Sequence, residues 1–195
     1  LSSIPSPGIS LILDIGGGST EWVISEGDNV SYSASIPAGA VKLFEKHIKT
    51  DPPSQKDIEA LDSDIKSAVG KMRTELIKTA PIKHGNKWPD LIATAGTATT
   101  LASLDMGLGP YEHSKVHMHE ITLERLKGLS GLLVSLPARK RAFLKGLDPR
   151  RADLIIPGIR FTIILMEALR FEKMTVSAYG LLEGLLAEFS SEVSK

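Results

Sequence analysis

Three β-prone segments joined by short turns at the start of the chain constrain its fold more than any other feature of the sequence. Residues 9–15 (ISLILDI) are apolar and continue directly into Gly16-Gly17-Gly18-Ser19. Residues 20–27 (TEWVISEG) and 29–37 (NVSYSASIP) follow, with Gly27-Asp28-Asn29 as the second turn. Glycine, aspartate and asparagine between such segments favour tight turns, so we expect three consecutive antiparallel strands.

Two further short strands and several helices are predicted after these three strands. Ser54 is a good N-cap for a long amphipathic helix over 55–79, and Asp51-Pro52-Pro53 ends a shorter helix before it. The later segments are strands at 90–96 and 173–180, helices at 97–107, 123–136, 150–172 and 181–193, and an irregular or hairpin-like stretch at 109–121. This order predicts an α/β domain of the ribonuclease-H-like type, found in actin, sugar kinases and heat-shock ATPases, with a mixed sheet of about five strands flanked by helices.

Composition excludes several classes of protein. The chain has 195 residues, of which 42% are apolar and 24% charged, and this fits one domain with a packed core. Lys plus Arg and Asp plus Glu number 23 each, so the charge balance gives no reason to expect binding to DNA. The absence of cysteine excludes a disulfide scaffold, a thiolate zinc site and a cysteine nucleophile. Pro157, Arg160 and Glu167 interrupt the longest apolar stretch, residues 154–169, so no membrane span is expected.

The beginning of the chain carries its own expectations. Residues 1–8 (LSSIPSPG) are rich in serine and proline and predict a linker or disordered end, which leaves residues 9–195 as one domain. The first residue is leucine rather than methionine, so we expect a fragment of a longer protein. No signal peptide is visible, and we expect a cytoplasmic location.

The first motif with chemical meaning is Asp14-Ile15-Gly16-Gly17-Gly18-Ser19-Thr20-Glu21. Three glycines without Cβ atoms allow a tight turn whose N–H groups point at an anion, and a serine hydroxyl can donate to the same phosphate. We therefore predict phosphate binding by Gly16, Gly17, Gly18 and Ser19. Asp14 and Glu21 flank the turn, and hard oxygen ligands of this kind suit Mg²⁺ bridged to phosphate. The alternative is a glycine-rich hairpin that binds nothing.

The second motif is Gly96-Thr97-Ala98, at a predicted strand-to-helix junction. The N-terminus of a helix offers free N–H groups and a partial positive charge, which favour phosphate. We predict that these three residues form the other side of a phosphate cleft. The alternative is an ordinary helix start, in which Thr97 only caps the helix.

A set of sequence motifs spread over nearly the whole chain occurs together in one known family. The motifs are LDIGGGSTE, IPAGAVKL, ATAGTATTLA, the pair Val116-His117, RADLIIPG and SAYGLLEGLL, in this order between residues 13 and 186. This set resembles the exopolyphosphatase/guanosine pentaphosphate phosphatase family (Ppx/GppA). The resemblance implies two actin-like lobes, of which this chain matches the second, with a phosphate chain and Mg²⁺ in the cleft between them. It places Asp14, Gly16, Gly17, Gly18, Ser19 and Glu21 in the phosphate and metal loop, and Gly96 and Thr97 in a second phosphate loop.

The resemblance also implies what the chain lacks. The family's catalytic Glu, which orients or deprotonates the attacking water, lies in the first lobe together with another phosphate loop. We therefore assign no catalytic residue to this chain and expect it to be inactive alone. Inorganic polyphosphate or guanosine pentaphosphate would be the substrate, and the first lobe and a second copy of the protein would be the partners. Family members often carry arginine at the positions of Lys42 and Leu182, and the second departure removes a positive charge near the cleft.

A basic segment near the middle of the second half contains Arg139, Lys140, Arg141, Lys145, Arg150 and Arg151. Arg139, Lys140, Arg141 and Lys145 are candidate contacts for the distal part of a polyanion. The alternative is a solvated helical face whose charges nearby acids balance. Arg151 and Asp153 belong to the family-like RAD motif, and we expect them to position the helix that follows.

Two further clusters remain open. His113, His117 and His119 could bind a transition metal, although no cysteine lies nearby, and the alternative is a structural role. In Tyr179-Gly180-Leu181-Leu182-Glu183-Gly184 the first glycine allows a sharp turn into a helix. This helix start either brings Glu183 near the ligand or only packs against the core.

Three functions compete at this stage. The first is a phosphoanhydride hydrolase acting on polyphosphate or guanosine pentaphosphate. The second is one lobe of an ATP-dependent kinase of the same superfamily, since such kinases carry a similar glycine-rich loop, but the RAD and YGLLEG motifs argue against it. The third is a non-catalytic protein that binds guanosine phosphates or polyphosphate.

Overall fold

The computed structural model describes residues 8–27, 29–79 and 90–180. Several predictions lie outside these residues. They concern the linker at 1–7, Asp28 in the second turn, a loop at 80–89, and the last helix with Leu182 and Glu183.

The described residues form one mixed sheet of six strands in the order β3-β2-β1-β4-β6-β5. The strands are β1 (Ile9–Ile15), β2 (Thr20–Glu26), β3 (Asn29–Ile36), β4 (Asp90–Thr94), β5 (Glu120–Thr122) and β6 (Lys173–Val176). The α/β fold class and the three antiparallel N-terminal strands are confirmed. The sheet has six strands where about five were expected, because β5, which begins in the stretch predicted to be irregular or hairpin-like, pairs antiparallel with β6.

The helices pack around a central helix, α7. The helices are α1 (Ala40–His47), α2 (Gln55–Thr79), α3 (Ala95–Met106), α4 (His113–Val116), α5 (Leu123–Ser135), α6 (Ala138–Arg141) and α7 (Ile155–Leu169), with a 3-10 turn at Pro149–Arg151. Helix α7 contacts α1, α2, α3 and α5, and its apolar residues are almost entirely buried. It is shorter than the predicted helix over 150–172 because Pro157, which lacks an N–H donor, fits only within the first turn.

The long helix α2 begins where the sequence predicts. The Asp57 N–H donates to the Ser54 hydroxyl at 3.2 Å, so Ser54 is the expected N-cap. Asp57 itself accepts from the Thr50 hydroxyl at 2.6 Å and from the Ser54 N–H at 3.1 Å. These bonds favour the carboxylate and lower the pKa of Asp57 to about 2.

The parallel strands set the position of the functional residues. Strands β1, β4 and β6 run in the same direction, so their carboxyl ends lie at one edge of the sheet. The glycine-rich turn follows β1, the N-terminus of α3 follows β4, and the segment 177–180 follows β6. Asp14 pairs directly with Thr94, so the two predicted phosphate motifs are neighbours in space.

Candidate active site

The glycine-rich turn between β1 and β2 holds its carbonyl groups inward and leaves two N–H groups open. The Gly16 N–H donates to the Ser19 carbonyl at 3.0 Å and closes the turn. The carbonyls of Gly16 and Gly17 accept from the N–H groups of Ala40 (2.8 Å) and Val41 (2.9 Å), in the first turn of α1. Among the described residues no acceptor meets the N–H groups of Gly17 and Gly18, and both residues are exposed. Two adjacent free donors of this kind form a site for an anion.

Gly39, which was not assigned a role from the sequence, lets α1 approach this turn. A Cβ at Gly39 would lie 2.5 Å from the Gly17 carbonyl carbon and oxygen and 2.5 Å from the Ser19 nitrogen. These are backbone atoms, which cannot rotate away as a side chain can. The sequence offers only the IPAGAVKL motif as a signal, because the close approach joins residues that are about twenty positions apart.

The second predicted motif forms the N-terminus of α3. Its N-cap Thr94 accepts no hydrogen bond from the helix N–H groups, and its hydroxyl donates to the Tyr179 carbonyl at 2.7 Å. The first N–H groups of α3 are therefore open to a ligand. Ala95 adopts the left-handed conformation, with φ of 61°, although it carries a Cβ. Strain of this kind concentrates at ligand sites, where the surrounding structure enforces it.

Thr97 links the two motifs by a hydrogen bond. Its hydroxyl donates to the Ile15 carbonyl at 2.8 Å, and the residue is 8% exposed. The hydroxyl proton is thus used within the protein, so Thr97 positions the glycine-rich turn and has only its backbone N–H to offer a phosphate. Ala98 is buried beside it.

Between the two turns lies a cleft of about 180 Å³. Its lining includes Gly16, Gly17, Val41, Gly96, Thr97 and Arg151. The cleft is therefore bounded by backbone groups of both predicted phosphate motifs and by one cation.

One cation lies in the cleft, and a second lies beside the glycine-rich turn. The Arg151 guanidinium lies against Gly96, where a Cβ would overlap both of its terminal nitrogens. Within the described residues this guanidinium makes no ion pair and no side-chain hydrogen bond. The Lys42 ammonium lies 4.0 Å from the Cβ position of Gly18 in the glycine-rich turn. A cation in the cleft, a second beside the glycine-rich turn and two sets of backbone donors favour a ligand with several negative charges.

Asp14 and Glu21 face each other across the first two strands of the sheet, where they are direct partners in register. Asp14 Oδ1 is buried and finds no hydrogen-bond donor among the described residues. Burial, and next the negative charge of Glu21, raise the pKa of Asp14. The Glu21 carboxylate accepts from the Ser19 hydroxyl and, at 2.9 Å, from the Ser35 hydroxyl. The serine proton is thus directed at Glu21 rather than at a ligand.

This pair of carboxylates fits Mg²⁺. A buried carboxylate oxygen without a donor is stabilised by a cation, and Mg²⁺ takes one or two carboxylates together with water and phosphate oxygens. In the part of the chain that the structure describes, no group of three or more His, Cys, Asp or Glu side chains could hold a metal by itself. A metal at Asp14 and Glu21 would therefore complete its shell from water and substrate.

Comparison with known proteins agrees with this geometry. A family model described as the Ppx/GppA phosphatase family matches residues 1–192. The chain belongs to this family. A crystal structure of the Aquifex aeolicus Ppx/GppA family member has a TM-score of 0.87 at 27% identity, over 99% of this chain and 60% of that one. The sheet and its helices are thus the actin-like, ribonuclease-H-like fold of Ppx/GppA structures.

Curated relatives carry two different names. Exopolyphosphatase 2 of Mycobacterium tuberculosis is 31% identical over 180 residues, which are 90% of this chain and 54% of that protein. Guanosine-5'-triphosphate,3'-diphosphate pyrophosphatase of Aeromonas hydrophila is 27% identical over 179 residues, 92% of this chain and 33% of that protein. The Ppx/GppA chain thus spans a third to about half of the length of these relatives.

The basic segment of this Ppx/GppA chain divides into buried and exposed residues. Arg141 is 1% exposed, and its guanidinium donates to the carbonyls of Ala152 (2.7 Å), Leu133 and Leu136 and to Asp153 (3.2 Å). The expectation that Arg141 contacts a polyanion is therefore wrong, because interior acceptors use its donors. Arg139, Lys140 and Lys145 are exposed.

The histidines form ring contacts and a hydrogen-bonded network instead of a metal site within the described residues. The Tyr179 ring meets His113 and His117 edge-to-face, with centroids 4.8 and 4.7 Å away. His119 Nε2 lies 2.8 Å from Asp105, which also accepts from Arg125. The ring contacts thus attach α4 to the segment that follows β6, and Asp105 joins α3 to α5. Among the helices that the structure describes, none has the length and apolar character of a membrane span.

Proposed function

We propose that the protein hydrolyses the terminal phosphoanhydride of inorganic polyphosphate or guanosine pentaphosphate, and that this chain forms the second of two actin-like lobes. The observation that carries the proposal is the cleft itself. Open N–H groups from the glycine-rich turn and from the α3 N-terminus lie there together with Arg151, and Lys42 lies beside the glycine-rich turn. Such donors stabilise charge on a phosphoryl group without having to reorganise.

Each part of the cleft would have a distinct task. The N–H groups of Gly17, Gly18 and the first turn of α3 bind phosphate oxygens, and Arg151 and Lys42 offset their charge. Mg²⁺ bound at Asp14 and Glu21 would neutralise charge on the reacting phosphoryl group. Ser19 and Ser35 hold the Glu21 carboxylate in place through their hydroxyl groups.

We place the water-activating carboxylate in another lobe. Asp14 and Glu21 flank the glycine-rich turn, and the metal role uses both of them. The named relatives support a larger protein, since this chain matches 54% of the exopolyphosphatase and 33% of the pyrophosphatase. The chain alone would therefore bind phosphate chains without turning them over.

Phosphate release tests the proposal. The chain joined to its preceding lobe should release phosphate from polyphosphate or guanosine pentaphosphate in the presence of Mg²⁺, and the 195-residue chain alone should not. Glu21→Gln should lower the rate about a hundredfold, as expected for loss of a group that stabilises transition-state charge. Glu26→Gln, at the exposed end of the same strand, is the matched control and should keep the rate. Phosphate release at an ordinary rate by the chain alone would contradict the proposal that the catalytic residue lies in another lobe.

The competing enzyme class is a kinase, and an assay on the same two-lobe protein distinguishes a kinase from a hydrolase. Incubation with ATP and candidate sugars should give no phosphorylated sugar. Formation of a sugar phosphate would overturn the hydrolase proposal.

A binder without catalysis is the second candidate, because every donor and cation of the cleft named above belongs to this one chain. Binding of tripolyphosphate to the two-lobe protein without any phosphate release would favour it.

A further inference from the structure

Three side chains form one row across the first three strands, at the end where the glycine-rich turn begins. Asp14 on β1 pairs in register with Glu21 on β2, and Glu21 pairs in turn with Ser35 on β3. Direct partners in an antiparallel sheet place their side chains on the same face, about 5 Å apart. Ser35 therefore reaches a carboxylate that we propose as a Mg²⁺ ligand, although the two residues are 14 positions apart in the sequence.

The two hydroxyl groups that hold Glu21 donate to the same carboxylate oxygen. The Ser19 hydroxyl and, at 2.9 Å, the Ser35 hydroxyl both meet Glu21 Oε1. A carboxylate oxygen has about two lone-pair positions for donors, so these bonds use the acceptor capacity of Oε1. Glu21 Oε2 accepts no hydrogen bond from the described residues and lies 3.8 Å from the Cβ position of Gly16, which lines the cleft. Oε2 is therefore the oxygen left for a cation.

The number of carboxylate oxygens that a glutamate offers distinguishes Mg²⁺ from Ca²⁺. Mg²⁺ requires nearly octahedral geometry at short distances, and a single carboxylate oxygen fits that geometry. Ca²⁺ takes about six to eight oxygen ligands at longer distances and often binds both oxygens of one carboxylate. A glutamate that is restricted to one oxygen therefore suits the smaller ion.

We infer that Ser35 is a positioning residue that makes the metal site at Asp14 and Glu21 selective for Mg²⁺ over Ca²⁺. This inference rests on the proposed function, because it requires a cation at these two carboxylates. Ser35 acts through Glu21 and not on the cation itself, since its hydroxyl fixes the rotation of the carboxylate and fills the second acceptor position of Oε1. Without this hydroxyl, the carboxylate can turn and bind a cation with both of its oxygens.

Thermal melts of the 195-residue chain, titrated with MgCl₂ or CaCl₂ at constant ionic strength, test the inference. A cation that binds the folded protein raises Tm as its concentration increases, so each titration gives a Kd for that ion. Ser35→Ala should weaken Mg²⁺ binding about tenfold, as expected for loss of a group that orients a metal ligand. The Kd of Ca²⁺ should stay within about twofold, so the preference for Mg²⁺ should fall about fivefold or more.

Two variants of the same strand are controls. Ser33 is exposed two positions earlier on the same face of β3, but its partner in register is Val23. Ser33→Ala should therefore keep both affinities, and so should Ser35→Thr, which retains a hydroxyl group. Glu21→Gln should abolish the rise in Tm with Mg²⁺, because it removes a charged ligand. In EDTA, the Ser33 and Ser35 variants should melt like the wild type, since both serines are exposed.

The possible results separate failure of the inference from failure of the proposed function. If Ser35→Ala weakens binding of Mg²⁺ and Ca²⁺ by the same factor, or loses no more Mg²⁺ affinity than Ser33→Ala does, the inference is overturned and the metal role stands. If neither cation raises the Tm of the wild type, or if Glu21→Gln responds like the wild type, the metal role in the proposed function fails and the inference fails with it. A loss of preference for Mg²⁺ in Ser35→Ala, restored in Ser35→Thr, supports the inference.

Discussion

Two glycine-to-alanine substitutions in this chain should change stability in opposite directions. Gly39 has an ordinary φ of −97°, so a side chain is excluded there by crowding and not by backbone conformation. Gly70 lies in the interior of α2, and a Cβ there would meet no atom within 4 Å. The same added methyl group therefore tests whether the contact between α1 and the glycine-rich turn is as close as described.

The magnitude at Gly39 follows from three distances. A Cβ 2.5 Å from backbone atoms of Gly17 and Ser19 must move about 1 Å to reach normal contact, and overpacking of this kind costs about 1–3 kcal/mol. The shift also weakens the hydrogen bonds from Ala40 to Gly16 (2.8 Å) and from Val41 to Gly17 (2.9 Å). Each contributes about 1 kcal/mol, so we expect Gly39→Ala to lower the free energy of unfolding by about 2–5 kcal/mol.

Gly70→Ala should instead raise the free energy of unfolding by about 1 kcal/mol, because alanine loses less backbone entropy in a helix. Urea denaturation followed by circular dichroism measures both changes, and Tm should shift by about 2–4 °C for each kcal/mol. Gly39→Ala should also abolish binding of tripolyphosphate in calorimetry, whereas Gly70→Ala should leave it intact. Equal stability of the two variants, or full tripolyphosphate binding by Gly39→Ala, would refute the close contact.

Three further predictions concern single side chains. Asp14→Asn should raise Tm at pH 7.5 in EDTA, because burial raises the pKa of Asp14 and its ionised form therefore destabilises the fold. In thermal melts, this gain in Tm should shrink as the pH falls through the raised pKa towards about 4. Arg141→Gln should lower the free energy of unfolding, measured in urea, by about 3 kcal/mol or more because three interior carbonyls lose their donor. The control Arg139→Gln should change the same free energy by less than about 0.5 kcal/mol. Thr97→Val should cost about 1–2 kcal/mol by the same measurement, whereas Thr100→Val should be nearly neutral because that hydroxyl only bonds the Gly96 carbonyl of its own helix.

Each of these predictions has a result that would contradict it. A lower Tm of Asp14→Asn at pH 7.5 in EDTA would mean that the Asp14 carboxylate is stabilised by the fold. Similar urea curves for Arg141→Gln and Arg139→Gln would place both arginines at the surface. A larger loss of unfolding free energy in Thr100→Val than in Thr97→Val would contradict the hydrogen bond that links α3 to the end of β1.

Local sequence signals predicted the elements whose ends are marked by special residues. Glycines after residue 15 and the Asp51-Pro52-Pro53 break define the first strand and the long helix, because turn and cap chemistry acts within a few residues. Strand β5 was missed for the opposite reason. Its three residues, Glu120–Thr122, form a strand only because β6, about fifty positions later, pairs with them.

The candidate site was predictable in its backbone and less so in its side chains. The two glycine-containing turns are neighbours, as expected from strands that end at one edge of the sheet. Sequence alone does not distinguish Arg139, which is exposed, from Arg141, whose partners come from α5 and from Ala152 and Asp153. Arg151 was expected to be structural, yet its guanidinium lies at the cleft, because the 3-10 turn before α7 aims it at Gly96.

The hydrogen bonds from α1 to the glycine-rich turn connect two sets of dipoles in series. The N–H groups of Ala40 and Val41 point at the carbonyls of Gly16 and Gly17, so the peptide groups of the turn extend the dipole of α1 towards the open N–H groups. An anion at the turn is therefore stabilised by the positive end of α1 behind it. Unwinding the first turn of α1 should consequently weaken anion binding, without any change in the residues that contact the anion.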